Sequence, residues 1–458
     1  MKISNWFIAG VVIIAAGSCI KDDKEEIDPQ EKSQVKWTYS LSNALGKDVL
    51  STAIPAFDEK NTGYYLVETD NTGANDINNR RDVWICSVRG DSSLHWKVKV
   101  SESSTDALDA NFVVYSEGKV LAFLKEKLVC LDSLNGKVAW NKTINREYWR
   151  NSLSVANGKL FYIDQAETRD KLKGISLANG SELCSLGLNS GTNEDVRGDY
   201  TAISGNNLFV VASDINNSGQ WLSKILIYNI SSISNATVPA SYLLPQNLYP
   251  KSTIVANSKG DALFYAKYDM NSPYQKYLVS INSSGVENFK TEVPSDANSI
   301  YIDAQDNIYC TTTSNLKLLQ FNSSGNILKE TSYVYFDTFG EFEILENNTF
   351  YGNAEDTETG MSVMTTFNLL TGSEVSRQDV NFPYALLGGT SIEILKENQR
   401  REEENSNFSG GFVQCVDRTG NLISISREKI YCVKDLDKKL LQGAWSKDFA
   451  NYGNTNSR

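Results

Sequence analysis

Apolar and polar positions alternate in short runs along most of this chain, and runs at the helical interval of three or four are almost absent. The clearest unit lies between Phe112 and Ile144. Phe112–Tyr115 reads as a strand, Ser116-Glu117-Gly118 as a turn and Lys119–Leu124 as a second strand. A third strand, Lys127–Asp132, reaches the turn Ser133-Leu134-Asn135-Gly136, and Lys137–Ile144 forms a fourth. Four antiparallel strands joined by tight turns within about 40 residues match one propeller blade.

The unit recurs. Strand pairs around Asn157-Gly158, from Tyr200 to Asp214, from Ile254 to Tyr268 and from Ile300 to Thr311 are each followed by a further strand. Gly136, Gly180, Gly285, Gly325 and Gly372 mark successive third turns, with an irregular unit between the second and third of them, and their spacing is blade-sized. An earlier unit fits Ile54–Trp96 and a last one Gly411–Val433. The expected fold is all-β: a single β-propeller of about eight four-stranded blades over residues 34–458. Seven is the alternative, because 381–406 is irregular and the first unit is loosely patterned. Val35–Leu41 reads as an outer strand standing before the first complete blade, and residues 428–449, with Trp445, supply the last. If that N-terminal strand completes the last blade, the ring closes without a free edge.

Leu131-Asp132-Ser133-Leu134-Asn135-Gly136-Lys137-Val138-Ala139-Trp140 resembles the PQQ-like (quinoprotein) propeller repeat, whose mark is an Asp, a Thr/Asn-Gly turn and a Trp four residues after the Gly. Asn368–Gly372 and Ser176–Gly180 are degenerate copies, with Ser376 and Cys184 in place of the Trp, and Phe289 follows Gly285. The resemblance implies that such a Trp packs on the neighbouring blade's turn; Trp96 and Trp445 are placed for that role elsewhere. Quinoproteins bind pyrroloquinoline quinone with a calcium site and, in many members, a disulfide between adjacent cysteines. No two cysteines here are adjacent and most repeats lack the full motif, so no cofactor is expected.

Composition is ordinary for a globular chain of 458 residues, at 41% apolar and 22% charged. Its formal charge of −12, with no basic stripe, argues against a nucleic-acid partner. The first 18 residues form a targeting segment: Lys2, an apolar run from Trp6 to Ala16 too short to span a bilayer, and small residues before Cys19. Ala16-Gly17-Ser18-Cys19 resembles the bacterial lipoprotein lipobox, with Ala16 where that family usually has Leu, and the resemblance implies acylation of Cys19. Residues 19–33 form an acidic lipid-proximal linker, and Lys21-Asp22-Asp23-Lys24-Glu25-Glu26 looks like the surface-export signal of Bacteroidota lipoproteins. The expected location is the outer membrane, at the cell surface or facing the periplasm.

Candidate chemistry is sparse. Cys86, Cys130, Cys184, Cys310, Cys415 and Cys432 lack CxxC spacing and histidine company, so buried, unpaired thiols are expected and no metal site is predicted. The one histidine, His95, lies in an outer strand and reads as a packed or solvated side chain; its isolation makes Ser-His-Asp and Cys-His catalysis improbable. Asp303 and Asp306 read as a polar turn, and Lys396–Asn405 as a charged loop. Loop aromatics, above all Trp149 and Trp221, with Tyr148, Tyr249 and Tyr274, are candidates for a ligand-binding face. The expectation is a non-catalytic envelope lipoprotein that binds a protein partner, in outline similar to the propeller scaffold of the outer-membrane β-barrel assembly machinery. A surface glycan-binding protein and a carboxylate-based lyase or hydrolase in the propeller funnel are the alternatives.

Overall fold

A four-stranded sheet with apolar residues on both faces buries them only between two like neighbours, and this requirement shapes the whole molecule. In the computed structural model, eight such sheets stand in a ring as a β-propeller. The structure describes residues 35–433 apart from 71–80, 105–111, 125–126, 145–152, 166–169, 189–195, 216–220, 269–274, 295–296, 313–316, 334–335, 347, 357–361, 380–412 and 426–428. The expected targeting segment, Cys19, the acidic linker, Trp149, Tyr148, Tyr274, the charged loop and Trp445 therefore lie outside the described residues.

Blade 1 is built from Val49–Thr52 with Ala56–Phe57, then Gly63–Asp70, Arg81–Val88 and Leu94–Ser104. Blade 2 takes Phe112–Ser116, Lys119–Phe123, Lys127–Asp132 and Val138–Thr143; blade 3 takes Leu153–Ala156, Lys159–Asp164, Lys171–Ser176 and Glu182–Gly187. Blade 4 runs from Val196–Ser204 to Ala240–Leu243, blade 5 from Leu248–Pro250 to Glu287–Glu292, blade 6 from Ala297–Ile302 to Ile327–Ser332 and blade 7 from Phe336–Leu345 to Glu374–Asp379. Blade 8 has three strands from the C-terminal part, Val413–Val416, Leu422–Ile425 and Lys429–Val433, and its outermost strand is Val35–Ser40 from the other end of the chain. Eight blades and N-terminal closure are both as read from the sequence.

The apolar core sits between the blades. One cluster joins Tyr64, Ile85 and Trp96 of blade 1 to Val113, Val120 and Leu131 of blade 2. The next joins Leu121, Cys130 and Trp140 to Leu160, Ile175 and Leu177 of blade 3. At the closing seam, Cys415, Ile423 and Cys432 of blade 8 pack with Phe57, Tyr65 and Cys86 of blade 1, and the half-buried Trp37 and Tyr39 of the N-terminal strand lean on the same cluster. A short helix, Leu41–Leu45, capped by Ser40 and ended by Gly46 at φ 67°, buries two leucines there and leads the chain into blade 1.

The outer strands share one irregularity. Lys36, His95, Ala139, Leu183, Asn288, Leu328 and Val375 are each an extra residue set between two paired neighbours. Such a bulge bends the strand and re-aims the side chains beside it. The residue after each bulge is the repeat's tryptophan position, held by Trp37, Trp96, Trp140, Cys184, Phe289, Lys329 and Ser376.

The six cysteines of the ring are all buried and unpaired. Burial pushes the thiols of Cys86, Cys130 and Cys432 up to about 12 and that of Cys184 to about 11. At pH 8 a thiol with a pKa of about 12 is ionised in roughly one molecule in ten thousand, so its reactivity as a nucleophile is suppressed. We expect a thiol reagent at pH 8 to label none of these six in the native protein and all six after denaturation, as counted by mass spectrometry. Fast labelling of even one in the native state would contradict this burial.

Candidate functional site

In blades 1 to 7 the first-to-second and third-to-fourth turns fall at the same end of the sheet, so one face of the ring is paved with turns. Several of the first turns have the same internal build. Asp303 Oδ1 accepts from Gln305 N at 2.9 Å and Asn307 N at 2.8 Å, while its Oδ2 accepts from the Tyr309 hydroxyl at 3.1 Å. Asp58 does the same for Lys60 N, Thr62 N and the Tyr64 hydroxyl, and Asp417 for Thr419 N and Asn421 N. Asp306 sits at φ 63°, a left-handed conformation that Asn61 also adopts. The polar turn read at Asp303 and Asp306 is thus a structural unit repeated around the ring.

The blades are stitched to one another across every seam, the Ser154 and Thr201 hydroxyls meeting at 2.9 Å between blades 3 and 4. Tyr115 of blade 2 donates to Glu59 of blade 1 at 2.5 Å, and Gly158 N of blade 3 to Glu117 of blade 2 at 2.8 Å. Ser204 of blade 4 donates to the Asn257 carbonyl of blade 5, and Ser258 N and Oγ to Asp306 of blade 6. Phe342 N reaches the Tyr301 hydroxyl, and Val416 N reaches Glu343. At the closing seam the Asn61 side chain donates to Asp417 at 3.0 Å and accepts from Arg418 N at 2.9 Å. Carboxylates on this face are therefore largely occupied in holding turns.

The third turns carry the apolar half of each seam. Trp96 lies over Gly136 and donates to the Ser133 carbonyl at 2.8 Å; Trp140 lies over Gly180 and donates to the Leu177 carbonyl at 2.9 Å. Phe289 covers Gly325 in the same way. The tryptophan contact implied by the repeat is present where Trp and Phe stand. Ser376 is exposed, whereas Tyr333, which the sequence reading did not single out, donates to the Gly372 carbonyl at 2.8 Å across the blade 6–7 seam.

Between blades 1 and 2 the turn face opens into a cavity of about 580 Å³. Its near wall is Asp58, Lys60, Arg89 and His95 of blade 1; its far wall is Tyr115, Glu117, Lys119 and Asp132 of blade 2. The Tyr64 and Tyr115 rings stack at 5.6 Å and an interplanar angle of 9°, and Trp96 lies 5.8 Å from Tyr64, so a packed aromatic layer runs beside the cavity. His95 is the bulge residue of blade 1, which places the chain's one imidazole on the wall rather than flat in the strand. Its Nδ1 is buried without a hydrogen-bond partner. Burial, followed by the nearby Arg89 guanidinium, holds the imidazole below its ordinary pKa.

Of the two aromatics singled out for a ligand face, Trp149 is outside the described residues and Trp221 opens the third strand of blade 4, distant in the fold from the blade 1–2 cavity. Tyr249 is half-buried in blade 5, with the Lys251 ammonium 4.8 Å from its ring. Exposed apolar side chains stand on the outer strands and third turns of several blades: Leu134 and Val138 of blade 2, Leu243 of blade 4, Val286 in the turn of blade 5, Ile327 and Leu328 of blade 6, and Leu370 and Val375 of blade 7. Among the described residues no group of three or more His, Cys, Asp or Glu is arranged to hold a metal, and no helix is long and apolar enough to cross a membrane.

Eight four-stranded blades and a velcro-like closing strand define the class: a β-propeller. Residues 29–163, which span blades 1 and 2 and the first half of blade 3, match the family model described as outer membrane protein assembly factor BamB. No curated protein matches the chain in sequence. Among solved structures, the Dos1 propeller superimposes with a TM-score of 0.51 at 8% identity, covering 88% of this chain and 96% of its own. Dihydro-heme d1 dehydrogenase NirN, in complex with DHE, gives 0.50 at 9% identity, covering 93% of this chain and 82% of its own. At such identities the likeness is one of fold.

Proposed function

We propose that this protein is a non-catalytic envelope propeller, anchored through an acylated Cys19, that holds a partner protein against its outer rim. The observation that carries this reading is the exposure of apolar side chains at the rim, most densely from blade 5 to blade 7, where Val286, Ile327, Leu328, Leu370 and Val375 stand. Outermost strands also present unpaired backbone groups, so a partner segment can add main-chain hydrogen bonds to apolar contact. The match of residues 29–163 to the outer membrane assembly factor family agrees with such a role in an envelope complex. The carboxylates that a hydrolase or lyase needs free are here tied down: Asp58, Asp303 and Asp417 hold turns, and Glu68 and Asp82 are buried against Arg81 and Lys47 at 2.8 Å each. The tyrosine hydroxyls are held protonated by burial, Tyr39 up to about 12 and Tyr64, Tyr115 and Tyr309 higher still, which suits donors in a scaffold better than a catalytic base.

The test is site-specific photo-crosslinking in the native membrane. A photoreactive residue at Val286 or Leu328 is expected to give one defined protein adduct, and the same residue at the exposed Asn141 of blade 2 none. Ile327→Asp with Leu328→Asp is expected to cut the Val286 adduct at least about tenfold, since a charge in an apolar contact costs more than 1.4 kcal/mol, while the melting temperature stays put. Equal adducts at all three positions, or none at the rim, would end this reading.

A further inference from the structure

The blade 1–2 cavity has a one-sided hydrogen-bonding chemistry. Its carboxylates are already served by the protein: Asp58 accepts from two backbone N–H groups and the Tyr64 hydroxyl, and Glu59 from Tyr115. Glu117 accepts from Gly158 N, and Asp132 accepts from Leu134 N at 3.0 Å with the Lys119 ammonium 3.5 Å away. The nitrogen groups of the near wall are not so served. Among the described residues the Lys60 ammonium has no acceptor, the Arg89 guanidinium has one long contact of 3.5 Å to the Ser93 hydroxyl, and His95 Nδ1 is an orphan. A buried nitrogen without a partner is costly, and a cavity whose spare charged groups are the Lys60 and Arg89 cations selects a ligand rich in acceptors.

A comparison within the ring sharpens the point. The bulge that carries His95 recurs in six other outer strands, where its residue is Lys36, Ala139, Leu183, Asn288, Leu328 or Val375. The bulge is thus part of the propeller's common build, and blade 1 alone places an imidazole on it, against a cavity of a volume typical of small-molecule sites. We propose that the cavity between blades 1 and 2 binds a small organic anion, whose carboxylate or phosphate group is held by Lys60 and Arg89 and lies beside the His95 imidazole. The site stands apart from the apolar rim of blades 5 to 7 and does not depend on the partner reading.

A single histidine makes the test direct. The full chain, untagged and labelled with ¹⁵N only in histidine, gives one imidazole signal set, which is followed at pH 7 during titration with galacturonate, with inorganic phosphate and with neutral galactose. The expected result is a saturable shift with at least one anion and none with galactose. Tighter binding of galacturonate assigns the group to a carboxylate, and tighter binding of phosphate to a phosphoryl group. A bound anion offsets the Arg89 charge and raises the pH at which the imidazole titrates. Lys60→Gln combined with Arg89→Gln, both at exposed positions, is expected to weaken binding about tenfold or more with an unchanged melting temperature. Absence of any anion-dependent shift through the millimolar range, equal response to galactose, or undiminished affinity in the double variant overturns the proposal.

Discussion

Trp140→Ala is expected to destabilise the ring by about 3–5 kcal/mol, among the largest effects of any single truncation in this chain. The indole is nearly buried at the seam between blades 2 and 3, where it packs with Cys130, Ile175 and Leu177, and its Nε1 donates to the Leu177 carbonyl at 2.9 Å. Truncation removes the ring, leaves a cavity that strands on both sides resist closing, and strips a buried carbonyl of its donor, a further cost of about 1 kcal/mol or more. The complementary change, Gly180→Val, attacks the same contact from below. Gly180 adopts φ 71°, and a Cβ there stands 2.7 Å from Trp140 Cδ2, so backbone strain and overlap add together. The two lesions share one contact and are therefore expected to be less than additive when combined. Thr143→Ala, exposed on the same strand, is the control and is expected to stay within about 0.5 kcal/mol of wild type. Urea unfolding of the four proteins is the measurement. Equal midpoints for Trp140→Ala and Thr143→Ala would show that the seam is not held by this contact.

Removing the strand Val35–Ser40 is expected to open the ring and convert a monomer into a self-associating species. The strand pairs along its length with Lys429–Val433, brings Trp37 and Tyr39 onto the closing cluster and fixes Lys36 on Asn421 at 2.5 Å. Without it Lys429–Val433 becomes a bare edge whose backbone groups pair with any available strand, including that of a second copy. The seam then rests mainly on the Asn61 contacts with Asp417 and Arg418 and on apolar packing that has lost its outer cover. A chain beginning at Leu41 is expected to elute as dimers and larger species, to lose protease resistance first within blade 8, and to return to a monomer on addition of a peptide spanning 34–41. Monomeric behaviour with unaltered protease resistance would mean that the ring closes without its N-terminal strand.

Much of this architecture was legible in the sequence because a propeller repeats one local problem eight times. Strand–turn alternation and the Asn-Gly and Ser-Gly third turns act within a few residues, the Trp four residues beyond Gly136 marks the repeat although it packs on Gly180 of the next blade, and each appears in the structure where the pattern placed it. The degenerate copies were harder. Over Gly372 the tryptophan's position is held by Lys329 of blade 6, and the contact is made instead by Thr331, which lies against the glycine, and by Tyr333, which donates to its carbonyl. In the same way the polar turn at Asp303 and Asp306 could be read as a turn, yet nothing nearby in sequence announces that Asp306 receives Ser258 from the preceding blade, 48 positions away.

The candidate site shows the same division. His95 was visible as a lone imidazole in an outer strand, and that pattern favours a packed or solvated side chain. A bulge that turns it onto the wall between two blades has no signature of its own in Leu94-His95-Trp96, since the extra residue is defined by what the partner strand lacks. Lys60 and Arg89 come from two turns of blade 1, and they meet the turns of blade 2 only when the sheets pack.

By itself, then, the sequence determined the kind of sheet, a ring of about eight blades and the strand that closes them, because alternation and turn chemistry are decided by neighbours along the chain. Closure of the ring decided the rest: which turn bonds to which across a seam, which apolar side chains are left exposed at the rim, and which nitrogens are left facing a cavity. Those contacts join residues tens to hundreds of positions apart, and their geometry exists only once all eight sheets have taken up the shared curvature of one ring.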